Sequence, residues 1–173
     1  GKRDQDTFVR RYPSRGVFAH AVGYSFVNQG AAGLERFYAD DLKGDHGEVV
    51  SLLDSLLARQ RPGDSVRTNL DPGAQRVALA ALAGRKGAVV VMEPATGKVR
   101  VMASVPGYDQ NAISDDDALR ALNADDENSP LLNRTTQALY PPGSTFKVVT
   151  AAAALDSGQF TPDSVLDGNS GKV

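Results

Sequence analysis

The sequence contains no cysteine. Thiol nucleophiles, thiolate metal sites and disulfides are therefore excluded at the outset. Histidine is nearly as scarce, with two residues in 173. His20 and His46 stand alone in the chain, and each reads as a structural or loop residue rather than as half of a catalytic pair. No apolar run reaches the roughly 20 residues a bilayer crossing needs, and the opening "GKRDQDTFVRRYP" does not have the form of a signal peptide. A native membrane anchor would have to lie upstream. A strong charge of one sign is missing too. Nineteen basic and 21 acidic side chains leave a net charge of -2, and the arginines are scattered, so nothing asks for nucleic acid or an acidic membrane as partner. Internal repeats and low-complexity tracts are absent.

What is present is the composition of a globular protein, 41% hydrophobic and 23% charged. The length suits one large domain or two small ones. "GVFAHAVGYSFVN" alternates loosely and is expected to supply a strand. Ala32 to about Leu42 is expected as a short helix closed by Gly44, and "GEVVSLLDSLLARQ" as an amphipathic helix with Val50, Leu53, Leu56 and Leu57 on one face. "RPGDS" breaks it, and the composition shift at Pro62–Ser65 marks the expected domain boundary, giving modules 1–66 and 67–173.

Beyond the boundary, Ser65–Asp71 reads as a strand. "DPGAQRVALAALAG" then reads as a helix with Asp71 as N-cap, Pro72 in the first position and Gly84 at its end. Two β-branched runs, Ala88–Glu93 and Lys98–Ser104, flank the turn Pro94–Gly97 and form the clearest hairpin in the chain. "SDDDALRALN" reads as a helix whose acidic first turn suits the helix dipole, so Asp115, Asp116 and Asp117 are helix-start residues rather than a metal site. Gly97-Lys98 is no phosphate loop, because Met92 stands where the upstream glycine belongs and Val99 where Ser or Thr belongs. Tyr12, Phe18 and Tyr24 read as core or interface.

The chemistry concentrates in "LYPPGSTFK", residues 139–147. Ser144 and Lys147 form the sole Ser-x-x-Lys in the chain. At about 7% Ser and 6% Lys, a chain of this length contains roughly one by chance, so the spacing alone favours a helix-capping serine and a solvent-facing lysine. The flanks change that weighting. Residues three apart share a helix face. The following "TFKVVTAAAALD", expected as a helix ending at Ser157 with Gly158 as cap, is apolar nearly all round, as in a buried helix. Burial disfavours the charged form of a lysine, which can then accept a proton from a hydroxyl. Free N–H groups at a helix start favour developing negative charge, and the N–H of Ser144 is a candidate for an oxyanion hole. Pro141, Pro142 and Gly143 set the approach, with Gly143 leaving room for a substrate.

"NRTTQALYPPGSTFKVVTAAAAL" closely resembles the active-site segment of the penicillin-binding proteins, serine DD-transpeptidases that share Ser-x-x-Lys with class A β-lactamases. "SVRTNLDPGAQRVALAALAGRKGAVVVMEPATGKVRVMASVPGYDQN" resembles the start of their transpeptidase domain. "YPSRGVFAHAVGYSFVNQGAAGLERFYADDLKG" resembles the juxtamembrane region of class B members, with Gly33-Leu34-Glu35 as its most recognisable piece. The pattern is closest to the actinobacterial branch designated A. The resemblance covers nearly the whole chain.

That resemblance implies an α+β protein. A small N-terminal pedestal or dimerisation module (1–66) would precede the first part of a β-lactamase/transpeptidase-like domain (67–173), an antiparallel sheet flanked by helices and incomplete here. It implies Ser144 as nucleophile and Lys147 as general base, with no cofactor and no metal. It implies the peptidoglycan stem peptide ending in D-Ala-D-Ala and β-lactams as ligands, and an anchored position on the extracytoplasmic face of a bacterial plasma membrane. A membrane glycosyltransferase, division proteins, a homodimer and a second polypeptide carrying the missing half are its candidate partners. The family's Ser-x-Asn and Lys-Thr/Ser-Gly motifs occur nowhere in these residues. Without them the site lacks much of its electrostatic preorganisation, and the chain alone is expected to be inactive. A β-lactam sensor or serine β-lactamase, and a non-catalytic dimerisation or interaction fragment, remain alternatives.

Overall fold

A computed structural model describes residues 10–44, 63–166 and 168. The chain divides into two compact units, Gly1–Ala138 and Leu139–Val173. His46 and the amphipathic segment carrying Val50, Leu53, Leu56 and Leu57 lie outside the described residues.

The first unit is built around an antiparallel hairpin. Strands β3 (Gly87–Met92) and β4 (Val99–Val105) pair from Gly87 opposite Val105 to Val91 opposite Val101, with an irregularity at Val91/Met92. The turn between them is the expected one. Glu93 N donates to Lys98 O, Gly97 N donates to Glu93 O, and Gly97 takes a φ of +70° that a side chain would oppose. Helix α4 (Pro72–Ala81) packs on β4 through Ala78, Val101 and Ala103, with Leu79, Leu82 and Val89 around them. Its start is capped as the sequence predicts, Asp71 Oδ1 accepting from Ala74 N at 2.9 Å with Pro72 in the first turn. The architecture is mixed α and β, as expected.

Three expectations for secondary structure are corrected. "GVFAHAVGYSFVN" is mostly helical: a 3₁₀ turn, Arg15–Phe18, runs into a single turn α1 (Ala19–Val22). The small side chains of Ala19 and Ala21 let this turn sink into the core, and only Ser25–Phe26 (β1) pairs, with Gly30–Ala31 (β2). The helix expected from Ala32 to Leu42 is two pieces, α2 (Gly33–Phe37) and α3 (Ala39–Lys43). Tyr38 leaves helical geometry between them, and Gly44 closes α3 in the left-handed conformation. Ser65–Asp71 is not a strand. Residues 65–69 are exposed, and the stretch is tied at its ends by Asp64 N to Asp41 O and Asp71 N to Arg100 O.

A second core joins the N-terminal turns to the stretch after β4. Ala19, Tyr108 and Ile113 are buried, with Tyr24, Phe26, Leu119, Leu122 and Leu131 against them. The Tyr24 and Tyr108 rings meet edge to face at 6.2 Å. Helix α5 (Asp116–Ala124) begins at the aspartate run. Asp115 Oδ1 caps it by accepting from Ala118 N, Asp116 accepts from Gln29, and Asp117 pairs with Arg120, so all three carboxylates have local helix-start or surface partners. Tyr12 is buried, its hydroxyl accepting from Ser25 N at 2.7 Å and facing Glu35, which pairs with Arg10 at 2.8 Å. Among the described residues no helix is long and apolar enough to cross a membrane.

Candidate active site

Pro141 and Pro142 fix the backbone just ahead of the second unit's helical segment, and Gly143 follows at φ +53°. A 3₁₀ turn, Gly143–Phe146, then passes directly into α6 (Lys147–Asp156). Thr145 N donates to Pro142 O at 3.1 Å, and Lys147 N donates to Ser144 O. The helix ends as expected, with Gly158 at φ +70° donating to Leu155 O.

The 3₁₀ turn matters for the chemistry. In this geometry residues i and i+3 eclipse, so Ser144 and Lys147 leave the backbone on the same side of the segment. The first N–H groups of such a segment have no partner within it and point toward the incoming chain. Ser144 is the second residue of the turn, whereas the N-cap is Pro142. The blander role of capping serine therefore does not apply: its hydroxyl is not needed to satisfy the start of the helix. A Cβ built on Gly143 meets nothing within 4 Å, so the approach to Ser144 is open on that side.

The apolar helix is not buried. Phe146, Val148, Val149 and Leu155 are 55%, 71%, 54% and 47% exposed, and Ser144 and Lys147 are exposed with them. An apolar face of this extent marks a surface built to be covered.

In the first unit, the loop that precedes this segment carries a buried polar assembly that sequence reasoning passed over. Ser104, 2% exposed on β4, accepts from Arg134 N at 3.0 Å and donates to Leu132 O at 3.2 Å. Arg134 is buried without a carboxylate partner among the described residues. Its guanidinium donates to the carbonyls of Asn128 and Ser129, folding residues 128–134 around itself. Asn133 donates to His20 O, and His20 Nε2–H donates to Pro130 O at 2.8 Å. Burial is the main cause that lowers the His20 pKa, with Arg134 adding to it. His20 is thus structural, as its isolation in the sequence implied. No spacing in the sequence signals Arg134, because its partners are backbone carbonyls. A cleft of about 440 Å³, with Leu34, Leu70, Met102, Arg67 and Lys98 among its lining residues, lies elsewhere in the first unit.

Comparison with known proteins bears on this geometry. A family model for the penicillin binding protein transpeptidase domain matches residues 87–173, and one for the penicillin binding protein A dimerisation domain matches residues 1–66. The chain is 37% identical over 163 residues to the peptidoglycan D,D-transpeptidase PbpA of Mycolicibacterium smegmatis, an alignment spanning 87% of this chain and 33% of that protein. It is 34% identical over 195 residues to the peptidoglycan D,D-transpeptidase MrdA of Salmonella typhimurium, spanning 92% and 31%. Among solved structures, the penicillin G acyl-enzyme complex of penicillin-binding protein A from Mycobacterium tuberculosis aligns with a TM-score of 0.78 at 34% identity, covering 91% of this chain and 39% of that one. The chain spans about a third of the length of the curated relatives it matches.

Proposed function

Because this chain belongs to the penicillin-binding protein transpeptidase family, we propose that it forms the nucleophile-bearing part of a peptidoglycan D,D-transpeptidase that β-lactams acylate. Ser144 is the nucleophile and Lys147 the base. Ser144 Oγ attacks the carbonyl carbon of the penultimate D-Ala as Lys147 takes the hydroxyl proton. The bond to the terminal D-Ala nitrogen breaks, and that residue leaves as an amine carrying a proton. An amine of a neighbouring strand then attacks the acyl-serine ester, forming the cross-link and restoring the hydroxyl. The N–H of Ser144 stabilises the oxyanion in both steps.

The observation that carries this reading is the 3₁₀ turn Gly143–Phe146, which sends both side chains to one side of a helix start while leaving Ser144 free of a capping duty. The M. tuberculosis relative, known as a penicillin G acyl-enzyme, supports the same chemistry. Residues 1–66 act as the pedestal and dimerisation module, and residues 67–173 begin the catalytic domain. The protein works anchored on the extracytoplasmic face of the membrane, as a homodimer, beside a glycosyltransferase and division proteins.

Labelling of the intact protein with a fluorescent penicillin tests the assignment. One equivalent of covalent label on Ser144 is expected, lost in Ser144→Ala, with acylation slowed about 10²- to 10⁴-fold in Lys147→Met. Label persisting in Ser144→Ala, on another residue, would refute it. The 173-residue chain alone is expected to take no label.

A further inference from the structure

We propose that His20 and residues 128–134 form a pH-sensitive clasp between the N-terminal turns and the loop leading to the Ser144 segment. Two hydrogen bonds make the clasp, and both run through one residue. The ring of His20 donates to Pro130 O at 2.8 Å, and its backbone carbonyl accepts from Asn133 Nδ2 at 3.2 Å. The ring is 8% exposed as part of its residue and stands edge-on to Tyr108 at 5.3 Å. Because Nε2 must carry a proton to donate to a carbonyl, Nδ1 is the nitrogen that a second proton would enter.

The surroundings oppose that second proton. From the loop side the charged group near the imidazole is the guanidinium of Arg134, which is itself buried and bonded to carbonyls. From the other side the titratable neighbour is Tyr108, whose hydroxyl donates to Ala19 O at 3.1 Å. No carboxylate pairs with His20 or Arg134 among the described residues. A doubly protonated ring would therefore place a second cation beside a buried cation. Opening the clasp relieves this, since the freed imidazole regains water.

The sign follows from proton linkage. The closed state holds the His20 pKa below its ordinary value of about 6.5, burial being the largest cause. Closure is thus fully favoured above about pH 6.5 and weakens as pH falls from there toward the closed-state pKa. A single proton limits the effect to tenfold per pH unit.

Hydrogen exchange of the intact protein, read on peptides covering residues 128–137, tests the proposal. After correction for intrinsic exchange, opening should rise up to about tenfold between pH 7.5 and 5.5. His20→Gln keeps a donor for Pro130 O without a titrating ring, and should hold exchange flat over that range. His46→Gln should behave as wild type. A flat wild-type profile, or a slope retained in His20→Gln, overturns the proposal. Should the variant fail to fold, histidine ring NMR of the wild type decides. A His20 pKa at or above about 6.5 overturns the clasp, and a lower one supports it.

Discussion

Replacing Gln75 by leucine should cost the first unit a large share of its stability. Gln75 is 1% exposed on α4, and its amide completes three backbone groups at once. Nε2 donates to Met102 O at 2.9 Å and Val17 O at 3.0 Å, and Oε1 accepts from Met102 N at 3.0 Å. On the edge of β4 away from β3, one side chain therefore substitutes for a neighbouring strand while also holding the 3₁₀ turn Arg15–Phe18. Leucine preserves volume but strands one N–H and two carbonyls. At about 1–3 kcal/mol for each buried group left unpaired, and less for carbonyls than for N–H, the loss is about 3–6 kcal/mol. Total stabilities of domains are about 5–15 kcal/mol. Gln75→Glu separates the hydrogen-bond argument from packing. It keeps the acceptor for Met102 N but aims its second oxygen at two carbonyls, so the folded state favours the protonated acid. Its pKa is raised on folding, and its stability relative to wild type is greatest below the unfolded Glu value of about 4.3, declining as pH rises through the folded pKa. Urea unfolding of the intact protein at pH 4.5 and 7.5 reads both effects. A leucine variant within about 0.5 kcal/mol of wild type, or a glutamate variant that tracks wild type at both pH values, would refute the edge-strand role.

Gly33→Ala should lower the melting temperature, since Gly33 sits at φ +60° and an added Cβ would lie 2.7 Å from Gly23 N and 2.9 Å from Ala21 O. Left-handed strain and backbone displacement together cost about 2–5 kcal/mol, and an unchanged melting curve would show that α1 and α2 do not meet there. Tyr12 is pushed up to about 12, chiefly by burial. Its fold contribution is complete below pH 10 and is lost as pH rises from 10 to about 12, so alkaline unfolding should come later in Tyr12→Phe than loss of the Ser25 bond alone would allow. Absorbance of the phenolate in the wild type checks the assignment, and titration of every tyrosine near 10 would contradict it. Removing residues 1–44 should leave the remainder sensitive to limited proteolysis between residues 106 and 134. The deletion strips the backbone partners of Tyr108, Gln110 and Asn111. Protection equal to that of the undeleted protein would count against this.

The parts of the fold legible in the sequence are those whose signals are local. Asp71 and Pro72 open α4, Gly97 turns the hairpin and Gly158 ends α6, each through its own backbone preference, whereas α4 closes at Ala81 with Leu82 as its cap, ahead of the expected Gly84. The spacing of Ser144 and Lys147 is equally local, but alone it favours a capping serine, and it is the flanking residues that carry their reading as nucleophile and base. The failures are where tertiary contacts decide. Ser65–Asp71 reads as a strand from local sequence, but the edge of β4 at Met102 is taken by Gln75. The alternation in "GVFAHAVGYSFVN" gave way to helical turns because Ala19, His20 and Ala21 are buried side by side, which no strand permits on one face.

A common thread explains what holds the first unit and how its N-terminal part meets residues 128–134. Among the described residues its fully buried apolar side chains are few and mostly small: Ala19, Val101, Ala103 and Ile113. Burial of that size provides limited stabilisation at about 25 cal/mol per Å². Amide and guanidinium side chains do much of the joining instead, and they join to backbone. Gln75 reaches Val17, Gln110 reaches Gly23, Asn111 exchanges hydrogen bonds with Tyr12 in both directions, and Asn133 reaches His20. Each of these bonds runs between residues matched by the dimerisation-domain model and residues beyond it. A hydrophobic seam tolerates sliding, whereas a seam of side-chain-to-backbone hydrogen bonds has one register, because any shift strands buried polar groups. The N-terminal turns therefore fix where residues 128–134 sit on β4. That loop leads along the chain into Pro141, Pro142 and the turn bearing Ser144. The polar seam, rather than the apolar core, is the element through which a change in the N-terminal module would be felt at that loop.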